Sequence, residues 1–384
     1  LSKPLAPAHL RVQTRRRIEG EPNVSQGHIV VTGASGLVGR AAMEHYARAG
    51  CAVTAISRRT PFDTYGARHL PVDLADEAAC REAFAGLGDV TQIVFAALHE
   101  EGDLVSGWTS EAHVARNAAM LRNTVEAIAP HAPSLRNVTV LQGPKAYGAH
   151  VKPLKIGARE DRDEDRSIPN FYWAQEDYIR DRAHGQEWGW TILRPCFVMG
   201  MAVGGAMNLI GAIGFYAALL RHRGEPLHFP GSRLAISQPT DTDLMARAIE
   251  WAGRSEAARN QVFNIANGDL FSLAEMWPAI ADVLGMEPGE DRPFPFVEQL
   301  PHCFAEWDAI RKEHMLISPD AQGFLGQSAQ FADWIFARAS VGLRGSISTV
   351  KLQNAGFTEA MHSEDMFRKW FARYQEARLI PPRR

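Results

Sequence analysis

Tyr172 sits in NFYWAQEDYI (170–179), whose composition and spacing read as the first turns of a helix. A phenol becomes a proton donor or an oxyanion partner when a cation stands beside it, because nearby positive charge favours the phenolate and lowers its pKa. On a helix that cation belongs four residues further on, where i and i+4 share a face. Glu176 occupies that position. Either Tyr172 is an ordinary helix residue, or the positive charge comes from elsewhere in the chain. Tyr178 and Arg182 keep the four-residue spacing, with guanidinium in place of ammonium.

The other source of charge is LQGPKAYG (141–148), where a β-rich run ends and Lys145 follows just past its C-terminal edge. Ligands of open α/β sheets bind at such edges. Lys145 and Tyr172 are too far apart in sequence to share a helical turn, but side chains at adjacent strand ends can converge. Tyr147, two residues beyond the lysine, is a competing phenol or a pocket wall. Glu176 and Asp177 suit a structural role, fixing the helix through hydrogen bonds.

VVTGASGLVGR (30–40) sets Gly33, Gly36 and Gly39 between a predicted strand and a predicted helix. Glycines let the backbone turn and approach a pyrophosphate, which rests on the free N–H groups of the helix N-terminus. The strand before and the helix after make dinucleotide binding the stronger reading. Ser35, Leu37 and Val38 belong to the same cradle. Where an NAD-preferring site offers a carboxylate to the ribose, Ser57, Arg58 and Arg59 stand at the end of the second strand. That combination suits a 2′-phosphate, so NADPH/NADP+ is the expected cofactor. Asp73, followed by Leu74, is expected near the adenine amine, and the small Ala96 and Ala97 are expected to let the cofactor lie close. Gln142, Pro195, Phe197 and Val198 complete the expected cofactor contacts at the ends of the fifth and sixth strands.

These residues need a scaffold, and the first half supplies the pattern of one. HIVVT, CAVTAIS, ARHLPVDL, TQIVFAA, NVTVLQG and WTILRP alternate with helical segments, as repeated βαβ units do. The fold class is therefore α/β, a doubly wound parallel sheet of Rossmann type. Residues 27–200 are expected to form the nucleotide-binding domain. Residues 201–384 are expected to form a mainly helical substrate-binding cap, partly interleaved with the sheet. Residues 1–26, rich in Pro, Arg and Gly without a periodic face, are expected to be a mobile tail. AMNLIGAIGFYAALL (206–220) is too short to span a membrane and contains Asn208, so it is expected to be a buried or cleft-lining helix.

Composition narrows the function classes. With 46% hydrophobic and 22% charged residues and a net charge of −3, the chain is an ordinary globular protein with no electrostatic reason for a nucleic-acid partner. The four cysteines form no CxxC pair, and the 14 histidines show no HExxH spacing, so neither a disulfide framework nor a metal site is expected. A reducing cytoplasm is the default compartment.

At NFYWAQED and LQGPKAYG the chain resembles the progesterone 5β-reductase and iridoid synthase-like family of atypical short-chain dehydrogenases, with their NFYYxxED and LQTGxKHY segments. The resemblance continues through LRPCFVMG, MNLIGAIGFYAALLRHRGEPLHFPG, VFNIANGD and GFTEAMHSEDMFRKWF, and it looks like that of a bacterial-type member. It implies NADPH-dependent 1,4-reduction of an enone or enal, with the family's tyrosine and relocated lysine mapping onto Tyr172 and Lys145. The second signature tyrosine is Trp173 here. The segment at Gly143-Pro144 is shortened and carries proline, and the loop from lysine to tyrosine is also shortened. Lys145 is then expected to acidify Tyr172, which stabilises the enolate. Leu98, Tyr147, Met201, Met207 and Ile210 are expected to line the substrate pocket, with Phe197 and Trp108 beside them. The partner is a small enone or enal, with no nucleic acid or membrane, and a homodimer is admitted. Two alternatives stay open: a carbonyl reductase using the same tyrosine for 1,2-hydride transfer, and a non-catalytic NADP-binding redox regulator.

Overall fold

The computed structural model describes residues 27–100, 108, 110–231, 236–338 and 345–383. The segment 1–26, expected to be a tail, lies outside them. Short apolar runs form the strands β1 (His28–Thr32), β2 (Ala52–Ile56), β3 (Arg68–Leu70), β4 (Val90–Phe95), β5 (Asn137–Leu141) and β6 (Gly189–Pro195). With the strand Gln261–Ile265 they make one seven-stranded sheet in the order Gln261–Ile265, β6, β5, β4, β1, β2, β3, and every pairing is parallel. Val30, Val31, Ile93, Val94, Val138 and Val140 are fully buried, as strands covered on both faces require.

The chain builds outward from β1 to β3, then crosses back to place β4 on the other side of β1. That reversal opens a crevice at the C-terminal ends of β1 and β4, where Thr32 pairs with Phe95. Helix α1 (Leu37–Arg48) packs against one face with α6 (Thr242–Ala252). The other face carries α2 (Glu77–Phe84), α3 (Glu111–Ile128) and α4 (Phe171–Ala183).

The second half holds a separate apolar core around α5 (Leu209–His222), whose residues from Leu209 to Leu220 are all buried. Asn208, the polar interruption in that apolar run, is the helix N-cap. Its side chain accepts from the Gly211 N–H at 3.0 Å and donates to Tyr374 Oη at 2.7 Å. Trp277, Trp307 and Trp370 fill the same core. Within the second half, residues 242–265 contribute α6 and the seventh sheet strand. No described helix is long and apolar enough to cross a membrane.

Candidate active site

The glycine loop shows why its residues must be small. Gly33 has φ +68°, and a Cβ there would stand 2.4 Å from Ala96 O, so the β1–α1 turn lies directly on the end of β4. A Cβ on Gly39 would meet Gly33 O at 2.2 Å, which fixes how closely α1 can follow the turn. Gly36 caps α1 without any side-chain acceptor, leaving the first-turn N–H groups available to an anion.

A cleft of about 800 Å3 runs from this loop across the sheet edge into the second half. Gly33, Ser35, Gly36, Leu37 and Val38 border it at one end, with Arg58 and Arg59 beside them. Ala96, Ala97, Gln142, Pro195 and Val198 form its floor. Lys145 and Tyr172 both line the further end, together with Leu98, Phe197 and Met207. Arg59 reaches across and donates from Nη2 to Gly204 O at 3.1 Å.

Lys145 and Tyr172 come together through Asn170. The Asn170 side chain caps α4 by accepting from the Tyr172 N–H at 3.1 Å, and its Nδ2 donates to Lys145 O at 3.3 Å. Lys145 itself lies in the single 3-10 turn Pro144–Tyr147 that follows β5. A second network holds α4 from behind. The fully buried Arg194 of β6 donates to Gln142 Oε1 at 2.8 Å, Glu176 Oε2 at 3.0 Å and Glu164 Oε1 at 2.7 Å. Gln142 Nε2 in turn donates to Tyr172 O at 3.2 Å. Glu176 therefore helps to anchor the helix.

The electrostatics correct one expectation. Burial pushes the Tyr172 phenol well above its ordinary pKa, Glu100 pushes it further the same way, and the opposing charge is Arg194 rather than Lys145. The phenolate is disfavoured because Tyr172 is packed among Trp108 and Phe171, with ring centroids at 5.5 and 4.7 Å. Tyr172 is thus a neutral hydrogen-bond donor, not an acidified phenol. Lys145 Nζ instead lies over the Trp108 ring, 3.1 Å from its centroid. Burial lowers its pKa to about 7, against the attraction of Glu100.

Several expected site residues stand elsewhere. Tyr147 is buried and donates to Asn264 Oδ1 at 2.6 Å, facing the seventh strand, and burial raises its pKa to about 12. Met201 and Ile210 are packed in the core of the second half, on either side of the cleft-lining stretch 204–207. Asp73 is ion-paired with Arg116 of α3 at 3.1 Å, Leu74 is buried against α2 and α3, and the Ser57 hydroxyl donates to Arg59 O at 2.7 Å. None of these six is on the cleft wall. Tyr178 donates to Glu126 at 2.8 Å, away from the cleft. Conversely, Glu100, Phe331 and Trp334 line the cleft without having been singled out from sequence. Glu100 carried one signal, its position a few residues past the end of β4. The aromatic pair carried none, since aromatics at helical spacing usually mark core.

Residues 72–381 match the family model of the PRISE-like Rossmann-fold domain. A 3-oxo-Delta(4,5)-steroid 5-beta-reductase of Arabidopsis thaliana is 28% identical, the match covering 94% of this chain and 96% of that protein. An (S)-8-oxocitronellyl enol synthase of Nepeta racemosa is 27% identical over 82% of this chain and 80% of its own length. Among solved structures, an epimerase of Methanothermobacter thermautotrophicus aligns with a TM-score of 0.64 at 17% identity, covering 92% of this chain and 95% of that one. The UDP-glucose 4-epimerase of Thermus thermophilus aligns with a TM-score of 0.59 at 16% identity, covering 91% of this chain and 99% of that one. At such identities the structural likeness speaks to the fold alone. The family match takes in the Lys145 turn, the Tyr172 helix and nearly all of the second half, and the chain belongs to the PRISE-like Rossmann-fold family.

Proposed function

We propose that this protein is an NADPH-dependent ene-reductase that performs 1,4-reduction of activated C=C bonds in enones or enals. The observation that carries the reading is one cleft bordered by the glycine loop, Arg58 and Arg59 at one end and by Lys145 and Tyr172 at the other. The residues fit a nicotinamide dinucleotide. Gly33 and Gly39 leave no room for a Cβ at the turn, and α1 begins without a side-chain cap. Arg58 and Arg59 would hold a 2′-phosphate, and Ala96 and Ala97 would allow close approach. When bound, the reduced cofactor supplies a hydride.

The chain's own residues would do the rest. Reduction at the β-carbon of a conjugated carbonyl puts negative charge on the carbonyl oxygen, and a preorganised donor aimed at that oxygen lowers the barrier. Tyr172 supplies the O–H. Among the described residues no hydrogen bond of its own competes for that donor, and its raised pKa keeps the proton in place throughout the neutral range, so the proton that completes the saturated product at the α-carbon would come from solvent. The Lys145 ammonium adds positive potential at the same end. Leu98, Phe197, Met207 and Trp334 give an apolar wall suited to a hydrocarbon enone. The names of the relatives, a steroid 5-beta-reductase and an oxocitronellyl enol synthase, point to the same chemistry.

The test is NADPH oxidation with 2-cyclohexen-1-one and progesterone, in the wild type and in Tyr172→Phe, with products identified by mass and NMR. A saturated ketone, formed about 10²–10³-fold more slowly by the mutant, is expected. An allylic alcohol would assign 1,2-reduction instead. Cofactor binding without turnover on a wide enone and aldehyde panel would point to a regulator.

A further inference from the structure

Glu100 belongs to the loop after β4 and is the one acidic side chain on the cleft wall among the described residues. Its Oε2 accepts from Trp108 Nε1 at 2.8 Å. The face of that indole carries the Lys145 ammonium, 3.1 Å from the ring centroid. A carboxylate on the indole N–H pushes electron density into the ring and so strengthens its hold on a cation at the face. The three residues form a relay of carboxylate, indole and ammonium, the first two from the connection between β4 and α3 and the third from the turn after β5. Trp108 is 1% exposed and is wedged against Phe171 and Tyr172, so its plane cannot swing freely.

We propose that Glu100 is the counterion of Lys145 and a positioning residue for it, holding the ammonium on the Trp108 face at the reactive end of the cleft. The proposal rests on the reductase reading only for what the ammonium is used for. The arrangement itself can be tested without turnover.

Among the described residues, the surroundings of Lys145 leave Glu100 as the counter-charge. Among the described residues, the other titratable groups around it are Tyr172 on α4, His113 on α3, His150 and Lys152 beyond the turn, and Arg194 on β6 behind Gln142. Lys152 is itself paired with Asp165, and Arg194 with Glu164 and Glu176. Glu100 is the charge that raises the Lys145 pKa against burial, and Lys145 is the charge that lowers that of Glu100 against its own burial. Removing the carboxylate therefore moves the lysine titration down.

The experiment follows the Lys145 side chain by NMR in 13C-lysine-labelled protein, its resonance assigned by its loss in Lys145→Arg. Titration midpoints are compared for wild type, Glu100→Gln, Glu100→Asp and Trp108→Phe, each checked for folding by circular dichroism. Glu100→Gln is expected to lower the midpoint by about one pH unit, Glu100→Asp to restore most of it, and Trp108→Phe, which keeps a ring but loses the N–H, to fall between. A midpoint unchanged in folded Glu100→Gln overturns the proposal. Should the midpoint shift while no enone is turned over, the counterion stands and the reductase reading falls. Should enone reduction occur with no midpoint shift, the reverse holds.

Discussion

Asn170 Nδ2 donates to Lys145 O at 3.3 Å while the same side chain caps the helix that carries Tyr172. One amide thus sets the Lys145 turn and the first turn of α4 against each other, which a lysine four residues from the tyrosine would otherwise have done within one helix. Asn170→Ala should cost about 1 kcal/mol of stability through the lost cap. It should also lower kcat by more than that loss accounts for, because Lys145 and Tyr172 lose their common tether. Urea denaturation and steady-state rates on the same preparation check both; a variant with the stability loss but a wild-type kcat would limit Asn170 to capping.

Activity should depend on pH through Lys145. Burial holds its pKa at about 7, so the ammonium is lost as pH rises through that value. If the ammonium assists the reaction, kcat/KM falls above about pH 7, approaching tenfold per pH unit, and Lys145→Met shows a low, flat profile over the same range. The unfolded lysine titrates near ~10.4, so between about 7 and 10.4 the unfolded chain binds more protons than the folded one. This group's contribution to stability therefore rises with pH across that window. Denaturation of wild type and Lys145→Met at pH 6.5 and 9.5 reads the sign.

Cofactor choice should rest on Arg58 and Arg59. Arg59→Ala is expected to raise the KM for NADPH by about 10- to 100-fold, the value of a charge-assisted contact to phosphate, and to leave the KM for NADH nearly unchanged. Initial rates with both cofactors decide it. Equal losses with each would assign Arg59 to its bond with Gly204 O rather than to a 2′-phosphate.

Arg194 is fully buried among Gln142, Glu176 and Glu164. Arg194→Met removes the buried partner of Glu176 Oε2 while Arg180 still donates to Oε1 at 2.8 Å, and should destabilise the protein by about 1.5–3 kcal/mol. Denaturant unfolding measures it, and a loss below about 1 kcal/mol would mean that the network contributes little to stability.

The alternation of apolar runs with helical segments announced six of the seven sheet strands, and GxxGxxG between strand and helix announced the turn at Gly33. Both have a local part: side-chain periodicity follows from backbone geometry, and φ +68° at Gly33 favours glycine, although it is the approach of Ala96 O that leaves no room for a Cβ there. The seventh strand, Gln261–Ile265, was hidden because its place depends on the chain returning to β6 after α5 and α6. Lys145 and Tyr172 stand next to element ends, so the pattern allowed them to converge, and the resemblance of LQGPKAYG and NFYWAQED to the family's segments joined them as a pair. The placement of Tyr147, Met201 and Ile210 was not legible, since whether a side chain two or three residues along faces the cleft or the core depends on what packs against it. Asp73 is paired with Arg116, which comes from another element 43 residues away, a contact that no local pattern announces. The sign of the Tyr172 shift also belongs to the tertiary structure alone. It sums the burial contributed by Trp108, Phe171 and their neighbours, and no spacing in a sequence records how much water a fold leaves around a phenol.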